Sequence, residues 1–485
     1  MNVKDKIKQI SDVIWEIPKS YQEGMLVPAR IYGTEKIIEA MEEGALQQIA
    51  NVATLDGIVN HAICMPDGHR GYGFPIGGVA AIDADRGVIS PGGIGFDINC
   101  GMRLVNTNLS YDQVKPHINK LINKLFQKIP AGLGKKGFID ITRKEFRKLV
   151  EQGSRWCLEH GFAWEEDLAR TEEGGRFPDA DSNSVSKKAI ERGYRQVGTL
   201  GSGNHYLEIQ VAKPENIADR KIADQLGIKV PNQVVVMFHC GSRGFGHQIG
   251  TDYLQSFLKI MQSKYGIKIR DRELACAPFK SGEGQSYYRA MQCAVNMAFA
   301  NRQVILHRIR KVFEEVFNRS AKDLGMHQVY DVAHNTAKLE KHKIKGKDKE
   351  LLVHRKGATR AFPPESSGLP ACYKESGQPV IIGGSMETGS YLLAGCKSGE
   401  GAFYTTAHGS GRIMSRAKAR KKFYGKDLQK QLKEKGINIR AASFSGLAEE
   451  AGGAYKDIDQ VVKSIQLAGI SKPVAKLVPI GNIKG

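Results

Sequence analysis

Among the side chains of kinds that hold divalent ions or transfer phosphoryl groups, six stand out by their setting. Asp97 and Cys100 stand three apart in Ser90-Pro-Gly-Gly-Ile-Gly-Phe-Asp-Ile-Asn-Cys-Gly-Met-Arg103, where glycines let the backbone bend sharply. His205, His239, His334 and His408 stand at the ends of apolar stretches or in glycine turns. Carboxylate, thiolate and imidazole together suit a borderline divalent ion, with Zn²⁺, Mn²⁺, Co²⁺ and Fe²⁺ all acceptable. A thiolate can bridge two ions, and two ions ~3.5–4 Å apart stabilise both oxygens of a phosphoryl displacement. Arg243, Arg360 and Arg412 lie in the same kinds of turn and are candidate phosphate clamps, so phosphoryl transfer fits this set best. Taken singly, each histidine reads as a satisfied strand-end residue and Cys100 as a small buried apolar group. It is the six together that read as a site.

The elements that must position them follow from the apolar pattern. His205, Leu207, Ile209 and Val211 alternate as on a half-buried strand, which puts Asn204, Tyr206 and Glu208 on its other face. Val234–His239 is an apolar strand running into a histidine, and Cys240, one residue on, should point away from His239. Val329–Asn335 repeats the arrangement around His334. Val380–Glu387 is a strand entering a glycine turn, and Thr405–Arg412 leaves the His408 ring accessible among small residues. His61–Ala80 is dense in glycine and presents Asp67, His69 and Arg70; each alone reads as a turn residue capping its own backbone.

Thr34 is a candidate N-cap for a helix over Glu35–Glu43 ending at Gly44, with a second apolar stretch through Leu46, Ile49 and Val52. Residues 113–153 read as helical with a break at 130–137, and Tyr287–Phe317 is the longest helical pattern, its apolar stripe assigned to the core. Residues 165–186 are polar and expected to form a surface excursion. Arg416–Lys435 is a basic, helix-like segment, and the apolar tail is expected to dock on the body. Lacking repeats and low-complexity linkers, residues 1–485 are read as one domain.

The formal net charge of +20 and pI near 9.4 favour a polyanionic partner, nucleic acid above all. No apolar run reaches the ~20 residues of a membrane span, and the first residues lack the apolar core of a secretory signal. Eight cysteines without a CxxC pair argue against a disulfide framework and for a cytoplasmic protein.

The stretches Gly95-Phe-Asp-Ile-Asn-Cys-Gly101, Leu200-Gly-Ser-Gly-Asn-His205, His239-Cys-Gly-Ser-Arg-Gly244, His354-Arg-Lys-Gly-Ala-Thr-Arg-Ala-Phe362 and His408-Gly-Ser-Gly-Arg412 resemble the RNA-splicing ligase RtcB family, in order and nearly end to end. The length is closer to its archaeal-type members. The resemblance implies an α+β fold, a single large domain of mixed and antiparallel sheets surrounded by helices. It also implies a GTP- and Mn²⁺-dependent ligase of tRNA splicing or RNA repair, joining 2′,3′-cyclic phosphate or 3′-phosphate ends to 5′-hydroxyl ends. Carried over, one manganese would take Asp97, Cys100 and His205, and the second Cys100, His239 and His334, with Cys100 bridging. His408 would become guanylylated. The guanylate pocket would comprise Asn204, His205, Tyr206, Leu207, Glu208, His334, Asn335, Gly383, Gly384, Ser385, Met386, Ser390, His408, Gly409, Ser410, Gly411, Tyr455 and Lys484. Glu208 would read the guanine edge, and Asp67 joins the three arginines as a candidate phosphate or RNA contact. Such an enzyme would act on RNA as a monomer, with an archease-like activator as a further partner. The sequence departs from the family at Gly383, where a proline is expected, which loosens that turn. Two other readings share the metal site or the charge: a metal-dependent RNA phosphodiesterase indifferent to GTP, and a basic RNA-binding scaffold without chemistry.

Overall fold

A computed structural model describes residues 3–485. Two large sheets carry the architecture. The seven-stranded sheet runs in spatial order Lys8–Ser11, Ile14–Ile17, Ala29–Tyr32, Ile58–His69, Ile76–Asp83, Lys347–Lys356, Asn335–Ile344. The eight-stranded sheet runs Gln328–Ala333, Gly101–Ser110, Gln233–Cys240, Tyr206–Ile217, Ser471–Lys484, Ser390–Gly395, Pro379–Ile382, with Asn438–Ala441 added beside the tail strand. Pairing is antiparallel except between Ala29–Tyr32 and Ile58–His69 and between Asn438–Ala441 and Ser471–Lys484. The fold is α+β with mixed sheets, as the resemblance implied.

Period-two alternation decides which face each strand buries. Along Gln233–Cys240, Val234, Val236, Phe238 and Cys240 pack into one apolar cluster with Leu207, Ile209 and the C-terminal half of the long helix. Val235 and Met237 pack on the opposite side with Met102, Leu104 and Val332. The long helix, Gly282–Phe317, has 36 residues, begins at a Ser281 cap, and ends at Asn318 in a left-handed conformation. Its N-terminal half packs against Phe146, Phe245, Ala337 and Leu352 and so also touches the seven-stranded sheet. The tail strand lies between Tyr206–Ile217 and Ser390–Gly395, so the chain terminus is built into the sheet.

Three expectations need correction. The helix at Glu35 stops at Ala40, because Met41 and Glu42 turn extended with ψ of 132° and 134°, and a second helix, Glu43–Val52, contains Gly44. Thr34 sits at the cap position, but its hydroxyl makes no cap bond; its N–H donates to Ser464 Oγ at 3.0 Å. Residues 165–186 are not a surface excursion: Asp167, Thr171, Glu172, Phe177 and Ser182 are buried. Asp167 receives both Arg310 nitrogens at 2.7 Å, and Glu172 pairs with Lys338, so these polar groups tie the long helix and the sheet together from inside. Arg416–Lys435 is two helices, Arg416–Lys422 and Gly425–Glu434, broken at Phe423 and Tyr424. Among the described residues, no helix is long and apolar enough to cross a membrane.

Candidate metal and nucleotide site

The two sheets meet at His334, which separates strand Gln328–Ala333 of one from strand Asn335–Ile344 of the other. Three further strand ends arrive at the same place. Met102 is paired opposite His239, Tyr206 opposite His239, and Gly101 opposite both Cys240 and Ala333. Register therefore sets Cys100, His205, His239 and His334 side by side at one edge of the eight-stranded sheet. The loop before them is fixed by its own backbone: Cys100 N–H donates to Asp97 O, His334 N–H to Cys100 O, and Asn99 N–H to Asn335 O. Asn99 adopts a φ of 51°, a left-handed conformation that asparagine tolerates better than most residues.

The donors meet closely. Cys100 Sγ lies 3.3 Å from His205 Nε2 and 3.0 Å from His239 Nε2, and His239 Nε2 lies 3.0 Å from His334 Nε2. Asp97 Oδ2 is 2.8 Å from His205 Nε2. Two triads result, Asp97–Cys100–His205 and Cys100–His239–His334, sharing the thiol, with ligand atoms within 4.8 Å of one another. His239 Nδ1 donates to Asn204 O at 3.1 Å, which leaves Nε2 as a bare lone pair facing sulfur and a second imidazole. Burial and the neighbouring histidines hold His239 and His334 well below the usual imidazole range, so both rings are neutral, the form that binds cations. Burial, with Asp97 and Cys240 nearby, pushes the Cys100 thiol well above its usual range. Lone pairs crowded without enough protons to bridge them fit a positive ion, and the Asp97 Oδ1 atom, buried without a partner, is a further free donor. Gly241 permits the approach: a Cβ there would stand 2.4 Å from Asp97 Oδ1.

Below the loop, Arg302 of the long helix is fully buried and donates to Asn99 O and Cys240 O, each at 2.8 Å. It pairs with Asp331, as does Arg103. The apolar stripe of this helix reads as core alone, yet Arg302, Gln303 and Arg310 are charged or polar groups inside that pattern and are the signal it offers.

His408 faces the same cavity from strand Thr405–Ala407, its ring centroid 4.7 Å from that of His334. One buried oxygen, Asp67 Oδ2, accepts from His408 Nδ1 at 2.6 Å, His408 N at 3.1 Å and Gly409 N at 3.2 Å. The ring proton is thereby held on Nδ1, and Nε2 is left with its lone pair free. Lys456 Nζ, donating to Pro66 O and Gly68 O, pins the end of strand Ile58–His69 that carries Asp67. Gly411 has a φ of 73°, and a Cβ there would meet Asp67 O at 2.1 Å.

The cavity has a volume of about 750 Å³, in the range of small-molecule sites. Its wall includes Asp97, Cys100, His239, His334, Asn335 and His408, then Asn204, Tyr206 and Glu208. Gly383, Gly384, Ser385, Met386, Gly409, Ser410, Gly411, Arg412, Tyr455 and Lys484 also line it. Burial pushes the Glu208 carboxyl up to about 7, although Lys484, Gln210 and Asn482 all favour the charged form. Glu450, missed in the sequence, organises that end: it accepts from Arg412, Tyr455 and Lys484. Lys356 and Arg416 also line the cavity unforeseen. Gly383 N–H donates to His408 O, and Ser410 N–H to Gly383 O, so the turn is tied to the His408 segment through a donor that proline lacks.

Several expected contacts lie elsewhere. Leu207 turns into the apolar cluster behind the strand, and Ser390 Oγ accepts from Gln210 Nε2 and Gly384 N at the back of the wall. Asp67 is a partner of His408 and not a phosphate contact. Arg360 is buried among Glu172, Glu173 and Glu340, its charge already matched, so it is no free phosphate clamp. Arg243 donates to His205 Nδ1 at 2.8 Å, which places that ring's proton on Nε2 toward Asp97, where a bound cation would take the proton's place. Arg412 does reach the wall, held by Glu450 and the Tyr455 hydroxyl.

Comparison with known proteins shows the family to which the chain belongs. The family model described as tRNA-splicing ligase RtcB matches residues 48–485. A tRNA-splicing ligase RtcB of Archaeoglobus fulgidus is 50% identical over 100% of both chains, and that of Thermococcus kodakarensis 50% identical over 99% of both. An RNA-splicing ligase RtcB homolog 1 of Entamoeba dispar is 46% identical over 97% of this chain and 89% of its own.

Proposed function

The chain belongs to the tRNA-splicing ligase RtcB family, and from that premise we propose that it is a GTP-dependent RNA ligase acting in tRNA splicing or RNA repair. Its substrates are RNA ends carrying a 2′,3′-cyclic phosphate or 3′-phosphate and partner ends carrying a 5′-hydroxyl. Asp97, Cys100 and His205 would hold one manganese ion, and Cys100, His239 and His334 a second. When bound, the ions supply positive charge that neutralises phosphate oxygens and favours the Cys100 thiolate. The observation that carries the reading is His408: Asp67 fixes its Nδ1 proton and leaves Nε2 free in the cavity beside the donor cluster.

In the first step His408 Nε2 attacks the α-phosphorus of GTP; an N–P bond forms, the α–β bridging bond breaks, and pyrophosphate leaves. Asp67 stabilises the positive charge that the ring acquires. An RNA 3′-phosphate oxygen then attacks the same phosphorus, releasing His408 and capping the RNA end with GMP; a cyclic phosphate is first opened by water. The 5′-hydroxyl of the partner end attacks the RNA phosphate, and GMP leaves as the phosphodiester closes. Glu208, ionised, accepts from the amino and imino groups of guanine, which adenine cannot offer. Incubation with α-labelled GTP and Mn²⁺ tests the scheme: the parent chain becomes covalently labelled and His408→Ala does not. Labelling that persists in His408→Ala refutes the nucleophile, and a parent that ligates 3′-phosphate and 5′-hydroxyl RNA without GTP refutes the scheme.

A further inference from the structure

Beyond Arg416, the basic segment of the sequence lies outside the catalytic cavity. Residues 416–435 hold nine lysines and arginines against Asp427 and Glu434. Arg416 and Arg420 are matched by Glu449, and Lys435 by Glu387. Among the described residues, Lys418, Lys421, Lys422, Lys426, Lys430 and Lys433 are exposed and pair with no carboxylate. Three of them converge. Lys426, Lys430 and Lys433 of helix Gly425–Glu434 line a second cavity of about 360 Å³ with Arg440 of the neighbouring strand, and its wall contains no acid.

Exposed aromatic rings stand beside these cations. Tyr424 is 73% exposed and Phe444 47% exposed. The two segments touch at Gly425, where a Cβ would meet Phe444 O at 2.2 Å, and Lys426 lies over the Phe444 ring at 5.8 Å. Lysines that neutralise phosphates, interleaved with rings on which bases stack, are the means by which single-stranded nucleic acid is held. The face also leads to the cavity. Met414, Ser415 and Arg416 line its mouth, Ser415 caps helix Arg416–Lys422, and seven residues carry the chain ~10 Å from that mouth toward Tyr424.

Building on the ligase reading, we propose that helices Arg416–Lys422 and Gly425–Glu434, with Arg440, form a binding surface for single-stranded RNA entering the catalytic cavity. The rings and the continuity with the cavity favour RNA over an acidic protein, for which stacking platforms serve no purpose. The test uses the full chain with fluorescein-labelled single-stranded RNA, titrated over a range of salt concentrations. Lys426→Ala/Lys430→Ala/Lys433→Ala removes three exposed charges without touching the wall of the catalytic cavity. Each phosphate contact contributes ~0.7 to the slope of log affinity against log salt, so the slope falls by about 2. The RNA KM of ligation rises, and GTP labelling of His408 stays at the parent rate. Lys341→Ala/Lys343→Ala/Lys347→Ala, on a remote hairpin, leaves the slope unchanged. An unaltered slope in the first variant, or an equal fall in the second, overturns the proposal; the former would assign the patch to an acidic protein. Absence of GTP labelling in the parent would refute the ligase reading while leaving the RNA titration interpretable.

Discussion

Replacing Asp67 by asparagine tests whether His408 is held by a charge. The carboxylate is fully buried, and its Oδ2 atom receives three donors, one of them the imidazole Nδ1 at 2.6 Å. Asparagine preserves the shape and can still accept, so the loop should fold. What is lost is the difference between a charge-assisted and a neutral hydrogen bond, about 1.5–3 kcal/mol against about 1 kcal/mol. The loss is larger as His408 acquires positive charge during attack, since the asparagine dipole stabilises imidazolium less than a carboxylate does. A deficit of about 0.5–2 kcal/mol expressed in the transition state corresponds to a labelling rate ~2–30-fold slower. Asp67 does not line the cavity, so the concentration of GTP giving half-maximal labelling should stay within about twofold of the parent. Rapid-quench measurement of protein-bound GMP gives both constants, and a thermal melt in parallel checks folding. A variant that labels at the parent rate, or that weakens GTP binding with the rate intact, refutes the positioning role.

The shared thiol makes a stoichiometric prediction: Cys100→Ala should lose both bound manganese ions, whereas Asp97→Ala should lose one, as read by metal analysis after gel filtration. For Glu208, the unfolded chain releases its proton near the ordinary carboxylate value and the folded protein holds it to about 7. The folded state thus binds more protons between these values, and this group's contribution to stability falls as pH rises through them. GTP affinity, which needs the ionised form, should instead strengthen as pH rises through about 7, and Glu208→Gln should flatten that profile by isothermal titration. Arg302→Met leaves Asp331 with Arg103 alone in a buried setting and frees the Asn99 and Cys240 carbonyls; a cost of about 3–5 kcal/mol is expected in denaturant titration, together with weaker metal binding.

Much of the fold could be read from apolar periodicity because the strands that matter are two-sided and regular. The alternation through Leu207, Ile209 and Val211 matches the face buried on the long helix, and Cys240 points away from His239 as period two requires. Periodicity failed where polarity stood for something other than exposure. Residues 165–186 are polar because they carry Asp167 and Glu172 into an internal ion network, and Arg360 belongs to that network. Arg302 was hidden for the converse reason: a buried cation inside an apolar helix leaves no amphipathic signature.

For the site, the sequence by itself determined which donor types exist and that they sit at strand ends and glycine turns, because those are properties of neighbouring residues. It carried the metal-binding kinds of atom and the accessible ring of His408. Only the tertiary structure decided which of them meet. Cys100 touches residues 105 and 139 positions away, and the contact depends on strand register, in which Met102 opposes His239 and His334 joins the two sheets. A one-residue slip in any of these pairings would turn a ligand to the other face. The role of Asp67 was decided the same way: a carboxylate on strand Ile58–His69 becomes the partner of His408 only because a segment 341 residues later passes beside it.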